Sequence, residues 1–324
     1  MAVFTEITSQ DVVQLLENYK IGDFVDLKGI SAGIENSNFY LQTTKGRWVL
    51  TVFERLSIAD LPFYLELCRH LGDRELPVSC PEKTKEGMLY SMISGKPCSI
   101  ALCFPGKTVD APTTYLCQQL GSLLARMHLS VKDFHLEQEN TRGLNFWIDN
   151  LSKLEPHIPA SLFSVLKEEI ERQIAFHNSS EYRQLEKGAV HADLFRNNAL
   201  AQEDRLCGII DFYFACTAPL LYDLAVTMND WCIDLETGEF DHQRAQSMIE
   251  AYHAVRPLSD NEKQCWKDML CASSLRFWVS RLYDFYLPRQ ASLLKPLDPS
   301  HFERILKLRR LSTPEMLPWP KTVK

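Results

Sequence analysis

The polar side chains of this chain that suit phosphate and metal chemistry gather in one stretch. It reads His191-Ala192-Asp193-Leu194-Phe195-Arg196-Asn197-Asn198, then Ile209-Ile210-Asp211-Phe212. This is an H-x-D-x-x-x-x-N pattern with a second aspartate eighteen residues after the first. Short apolar runs of strand length flank it, Ala189-Val190 and Ile209-Ile210, inside a region whose pattern is otherwise helical. The fold is constrained accordingly: a mainly helical part must open at one place to hold a strand-loop insert bearing acids. A β-hairpin anchored by those two runs would bring Asp193, Asn198 and Asp211 to one point. A single H-x-D tripeptide is an ordinary turn, and Asp211 alone an ordinary surface acid. The joint pattern is far harder to reach by accident.

Phosphoryl transfer asks for these groups. A carboxylate sits beside the acceptor hydroxyl, orients it and takes its proton. An amide oxygen from the same loop and a second carboxylate hold magnesium, a hard cation that prefers oxygen.

Upstream the period is different. Thr8 and Asp11 have capping-box spacing before Val12, Leu15, Leu16 and Tyr19, which share a helical face. FYLQTT, the turn Lys45-Gly46 and RWVLTVFE read as a β-hairpin. A helix over Ile58 to Leu71 and the strand candidates MLYSMI and SIALCF follow. Pro112 suits the first turn of the next helix, whose stripe of Leu116, Leu120, Leu123, Leu124 and Met127 ends near His128. The expected class is α+β: a strand-rich part over 1–104 and a larger helical part over 105–324 that carries the polar insert.

The 324 residues are 45% apolar and 24% charged, with a formal charge of -7 and a pI near 5.8. No block of Lys and Arg stands out, so no nucleic-acid partner is expected. The start of the chain lacks a signal-peptide pattern and no run is long enough to span a bilayer. The ten cysteines contain no CxxC pair. Reduced thiols in cytoplasm, with no membrane partner, are the expectation.

HADLFRNNAL with GIIDFYFA resembles the catalytic and metal loops of the aminoglycoside phosphotransferase and choline kinase superfamily, relatives of the protein kinases. SAGIENSNFYL, RWVLTVFERL, LPFYLELCRHL, RGLNFWI, TMNDWC and SLRFWVSRLYD bring the likeness nearest to bacterial homoserine kinases of the phosphotransferase type. The resemblance implies a protein-kinase-like bilobal fold, with a small antiparallel-sheet N-lobe and a larger, mainly helical C-lobe. It implies ATP and Mg2+ as cofactors and L-homoserine as the small-molecule substrate, phosphorylated on its side-chain hydroxyl in a step toward threonine. By position, Asp193 is the catalytic base, Asn198 and Asp211 are the magnesium ligands, and His191 supports the loop. Gly33, Glu35, Asn36 and Ser37 fall where such kinases fold a loop over the nucleotide phosphates. Cys103 and Phe104 fall in the linker that meets adenine through main-chain groups.

One position departs from the superfamily: Thr51 stands on the third strand where a lysine or arginine usually meets the phosphates. Glu66, on the next helix, is then either its former partner or solvent-facing. Homoserine carries an α-carboxylate and an α-ammonium, so its pocket needs an arginine and an acid. The expected pocket residues are Asp230 against the ammonium, Trp231 beside it, and Arg276 or Arg281 against the carboxylate. Trp147 reads as core.

Overall fold

Helix α1 (Ser9–Leu16) starts where the Thr8–Asp11 spacing places it. The Thr8 hydroxyl accepts the Asp11 N–H at 3.2 Å and the Asp11 carboxylate takes the Thr8 N–H at 2.8 Å. Two donors that a helix start leaves unpaired are thereby satisfied. The structure is a computed structural model that describes residues 5–30, 36–287 and 296–321.

Val12, Leu15 and Leu16 of α1 are buried in a core with one face of a five-stranded antiparallel sheet. Each such side chain contributes about 1.5–3 kcal/mol when fully buried. The strands are β1 (Phe24–Ile30), β2 (Asn36–Thr43), β3 (Gly46–Phe53), β4 (Ser91–Ile93) and β5 (Lys96–Leu102), with α2 (Leu61–Gly72) between β3 and β4 in the chain. Their order is β1-β2-β3-β5-β4. Side chains alternate across a strand, so Phe39, Leu41, Leu50, Val52 and Ile100 share the α1 core. On the other face Asn38 stands opposite Thr51, and Thr51 opposite Ser99, a polar row across three strands. Leu61 and Leu65 of α2 pack there with Phe53 and Leu89.

The chain divides into a first unit, Met1–Gly106 with Cys207–Tyr213, and a second, Lys107–Leu206 with Phe214–Lys324. Main-chain pairing takes Cys207–Tyr213 into the first unit. Ile209 bridges Val78 in parallel, its N–H donates to the Pro77 carbonyl at 2.7 Å, and its carbonyl accepts the Ser79 N–H at 3.0 Å. Ile209 therefore does not close a hairpin with Ala189-Val190, as the sequence reading had it.

In the second unit come β6 (Lys107–Thr108), α3 (Thr114–Ser130), α4 (Leu144–Leu154), α5 (Ala160–His177), α6 (Ser180–Arg183), β7 (Lys187–Val190), β8 (Ala199–Gln202) and β9 (Arg205–Ile209), which runs on into the first unit. Then follow β10 (Cys216–Pro219), α7 (Leu220–Trp231), α8 (His242–Val255), α9 (Asp260–Tyr286) and α10 (Ser300–Leu311). Thr113 rather than Pro112 opens α3, its hydroxyl accepting the Leu116 N–H at 3.1 Å. A Cβ at Gly121 would collide with the Met248 carbonyl of α8, so only glycine permits that approach of the two helices. The partner of β7 is β10, with Val190 opposite Cys216 and Lys187 opposite Pro219. Every residue of α7 is buried, which makes it the central helix of the unit. Among the described residues no helix is long and apolar enough to cross a membrane.

Candidate active site

Three side chains of α7 hold the H-x-D segment from beneath. Asp223, Asp230 and Trp231 are seven and eight residues apart, two turns of one helical face. Asp223 is fully buried, and its carboxylate accepts the N–H of His191 at 2.9 Å and of Ala192 at 2.7 Å. That grip holds Ala192 at φ +61°, a left-handed backbone that costs an alanine about 1–3 kcal/mol. Asp223 Oδ2 also lies 3.1 Å from His128 Nε2, whose Nδ1 is 2.7 Å from the Tyr252 hydroxyl. Burial pushes the Asp223 pKa up, but the His128 and main-chain donors outweigh it, and the carboxyl sits below the ordinary value. The sequence reading missed Asp223. Its signal was a lone acid inside the apolar run LLYDLAV.

The turn so held presents Asp193. Its N–H donates to His191 Nδ1 at 3.2 Å, which gives His191 the supporting place the resemblance implies. Arg276, buried on α9, donates from Nη1 to Asp193 Oδ1 at 3.1 Å. The Asn198 amide nitrogen donates to the Asp193 carbonyl at 2.8 Å and to Oδ2 at 3.2 Å. With its nitrogen turned this way, the Asn198 side-chain oxygen is directed elsewhere, the donor type magnesium takes. Each Asp193 oxygen keeps acceptor capacity for a hydroxyl proton.

Burial raises the Asp193 pKa above the usual carboxylate range, and Arg276 and His191 offset part of the rise. Protonation of this group should set the acidic limb of kcat/KM. Arg276→Gln removes the nearest offsetting cation, so the limb should move to higher pH. A limb unmoved in a pH–rate comparison would remove Arg276 from this role.

Two expected pocket residues are corrected. Asp230 is engaged by Arg196, with Nε to Oδ2 at 3.0 Å, Nη2 to Oδ1 at 3.2 Å and the Arg196 N–H to Oδ2 at 2.8 Å. A carboxylate forked by a guanidinium already has its counter-charge, so Asp230 anchors the turn after Asp193 instead of meeting an ammonium. Trp231 is fully buried and its indole N–H donates to the Leu194 carbonyl at 3.2 Å, so it braces the same turn from the core.

Of the two candidate arginines, only Arg276 reaches Asp193. Arg281 lies five residues further along α9 and so faces another side of the helix. Its Nη1 donates to the Asp298 carbonyl at 3.1 Å and its guanidinium rests 4.5 Å from the Phe302 ring centre.

In the first unit, Gly33 and Glu35 lie outside the described residues. Asn36 and Ser37 open β2 and, as strand neighbours, point to opposite faces. Ser37 is on the core side with its hydroxyl given to Glu54, which also pairs with Lys96 and Thr5, so it does not face a nucleotide. Asn36 shares the face of Thr51. Thr51 donates to Asn38 Oδ1 at 2.8 Å, and the hydroxyl of the partly buried Tyr213 sits beside Thr51 and Ser99. Thr51 thus sits in an uncharged network of hydroxyls and an amide. Lys96 does not substitute for the usual cation, being committed to Glu54.

Glu66 is exposed. The Cys103 N–H is spent on the Arg47 carbonyl at 3.1 Å, so it is not a donor for adenine, and the Phe104 ring packs over Gly208. Asp211 is exposed two residues past the end of β9 with φ +66°, in the left-handed region like Ala192. Among the described residues no group of three or more His, Cys, Asp or Glu side chains could hold a metal by itself. Magnesium differs from such cluster metals in keeping waters and phosphate oxygens alongside one or two protein ligands.

The chain belongs to the phosphotransferase enzyme family, whose sequence model matches residues 26–258. It is 45% identical over 324 residues to a homoserine kinase of Burkholderia vietnamiensis, covering 98% of each chain. It is 47% identical over 321 residues to one of Cupriavidus pinatubonensis, with 97% of each chain covered. The fold is also that of an amicoumacin kinase solved with AMP-PNP and Ca2+, at 16% identity, TM-score 0.69, and coverage of 96% and 95% of the two chains. A microcompartment-associated aminopropanol kinase is similar in fold at TM-score 0.65 and 14% identity, with 94% of each chain covered.

Proposed function

We propose that this chain transfers the terminal phosphoryl group of ATP to the side-chain hydroxyl of L-homoserine, giving ADP and O-phospho-L-homoserine. The observation that carries this reading is near-full-length likeness to homoserine kinases at 45% and 47% identity. A half-buried Asp193 at the H-x-D position, held by Arg276 and Asn198, supports it.

In this reading Asp193 accepts the hydrogen bond of the acceptor hydroxyl, orients its oxygen for attack, and takes the proton as the new P–O bond forms. Arg276 holds the carboxylate in place, and its charge offsets part of the rise that burial gives the carboxyl pKa. Asp223, Asp230 and Trp231 hold the loop, so the base does not reorganise during the reaction. Asn198 and Asp211 would each offer magnesium an oxygen ligand, and the bound ion would supply positive charge against the phosphate oxygens. Asn36 and Thr51 lie on the sheet face assigned to the nucleotide.

A coupled ADP-release assay across L-homoserine, choline and an aminoglycoside tests this. Homoserine should reach a kcat/KM of about 10⁴ M⁻¹s⁻¹ or more, with choline at least about 100-fold lower, because a site built for polar groups rejects what lacks them. Preferred turnover of choline or the aminoglycoside would replace this substrate.

A further inference from the structure

We propose that Tyr252 is a positioning residue for phosphoryl transfer: its hydroxyl, turned by Arg256, donates to His128 Nδ1, so that His128 is a neutral ring donating from Nε2 to Asp223. The role rests on the reading of Asp193 as the base, whose turn Asp223 holds.

Each proton in this chain of groups has one place to go. Tyr252 of α8 is wholly buried, so its hydroxyl must pair inside the protein. Among the described residues it meets two groups, His128 Nδ1 at 2.7 Å and Arg256 Nη1 at 3.3 Å. A guanidinium only donates, so the phenol oxygen accepts from Arg256 and its proton points at His128. Burial pushes the phenol pKa well above its ordinary value, so the proton stays on the oxygen. An Nδ1–H on His128 would face that same proton and leave it without an acceptor. Nδ1 therefore accepts, and the ring proton sits on Nε2, which is 3.1 Å from Asp223 Oδ2.

Arg256 is itself fixed. Its Nη1 also donates to the buried Glu262 at 2.8 Å, and its Nη2 to Glu186 at 2.7 Å. Glu262 closes the capping box of α9, its carboxylate accepting the Ser259 N–H at 2.8 Å. The start of α9 and the residue before β7 thus orient the guanidinium, the guanidinium the phenol, the phenol the ring, and the ring the carboxylate. Asp223 gains a donor besides the N–H groups of His191 and Ala192, which keeps its oxygens aimed at the turn that presents Asp193.

The test labels histidine with ¹⁵N and reads the ring nitrogens by NMR, with His128→Gln assigning the signal. Wild-type His128 should show a protonated Nε2 and an unprotonated, hydrogen-bonded Nδ1. In Tyr252→Phe the Nδ1 signal should shift, and kcat should fall about 10-fold while KM for both substrates stays within about twofold. In a His128→Gln background the same substitution should change kcat by less than about twofold, since Tyr252 acts through the ring. A ring protonated on both nitrogens, or on Nδ1 alone, overturns the assignment. So does a wild-type kcat in Tyr252→Phe, or an equal loss in the two backgrounds. The ring spectrum needs no substrate; full turnover in Asp193→Asn, or homoserine left untouched, strikes the functional reading instead, so the two failures are separable.

Discussion

Asp193→Asn should lower kcat by roughly 10²–10⁴-fold, the usual contribution of a positioned base. The side chain keeps its shape, and its oxygen still accepts the Arg276 N–H that now reaches Oδ1 at 3.1 Å. What disappears is the acceptor for the hydroxyl proton. Since the base acts on the alcohol, affinity for Mg-ATP should stay within about twofold, read by calorimetry with and without magnesium. A kcat near the wild-type value removes Asp193 from the chemistry. Loss of nucleotide binding together with turnover points to a collapsed loop.

Asp223→Ala should have the largest effect on stability. Removing one partner of a buried, hydrogen-bonded charge set costs about 3–5 kcal/mol, on the order of 10 °C in Tm for a unit of this size. The N–H groups of His191 and Ala192 and the ring of His128 would be left without their acceptor. Ala192 would then have nothing to hold it at φ +61°, and turnover should fall even well below the new Tm.

The pH dependence follows from the depressed Asp223 pKa. Its stabilisation is fully present above the unfolded value near 3.9 and drains away as pH falls through the folded one. The stability gap between wild type and Asp223→Asn should therefore narrow under acid. A constant gap from pH 7 to pH 3 would contradict the assignment.

The parts of this site legible in the sequence were those carried by local pattern. Thr8–Asp11 predicts a helix start because both bonds of a capping box lie within one turn. The β2–β3 hairpin is visible because its turn and its alternation are local. The H-x-D segment stands out because so many polar groups in a short stretch rarely serve packing alone.

What periodicity cannot say is which partner a side chain meets. Asp230 looked available for an ammonium because nothing local reveals that Arg196, thirty-four residues upstream, takes it. Asp223 looked like one more helix residue, although a lone carboxylate in an apolar run must have buried donors. Ser37 could have been set aside from sequence alone. Strand neighbours face opposite ways, so Asn36 and Ser37 cannot both address one ligand. Ile209 went astray for the same reason as Asp230: its partner, Val78, lies far off in the chain.

The most direct test follows phosphorus through the reaction. Wild-type protein with ATP, magnesium and L-homoserine is observed by ³¹P NMR, and Asp193→Asn is run alongside. The expected product is a phosphomonoester signal split by the two protons on the γ-carbon, formed at the rate ADP appears and slowed by orders of magnitude in the variant. Inorganic phosphate as the sole product, or the same ester formed equally fast without the carboxylate at 193, would contradict the account.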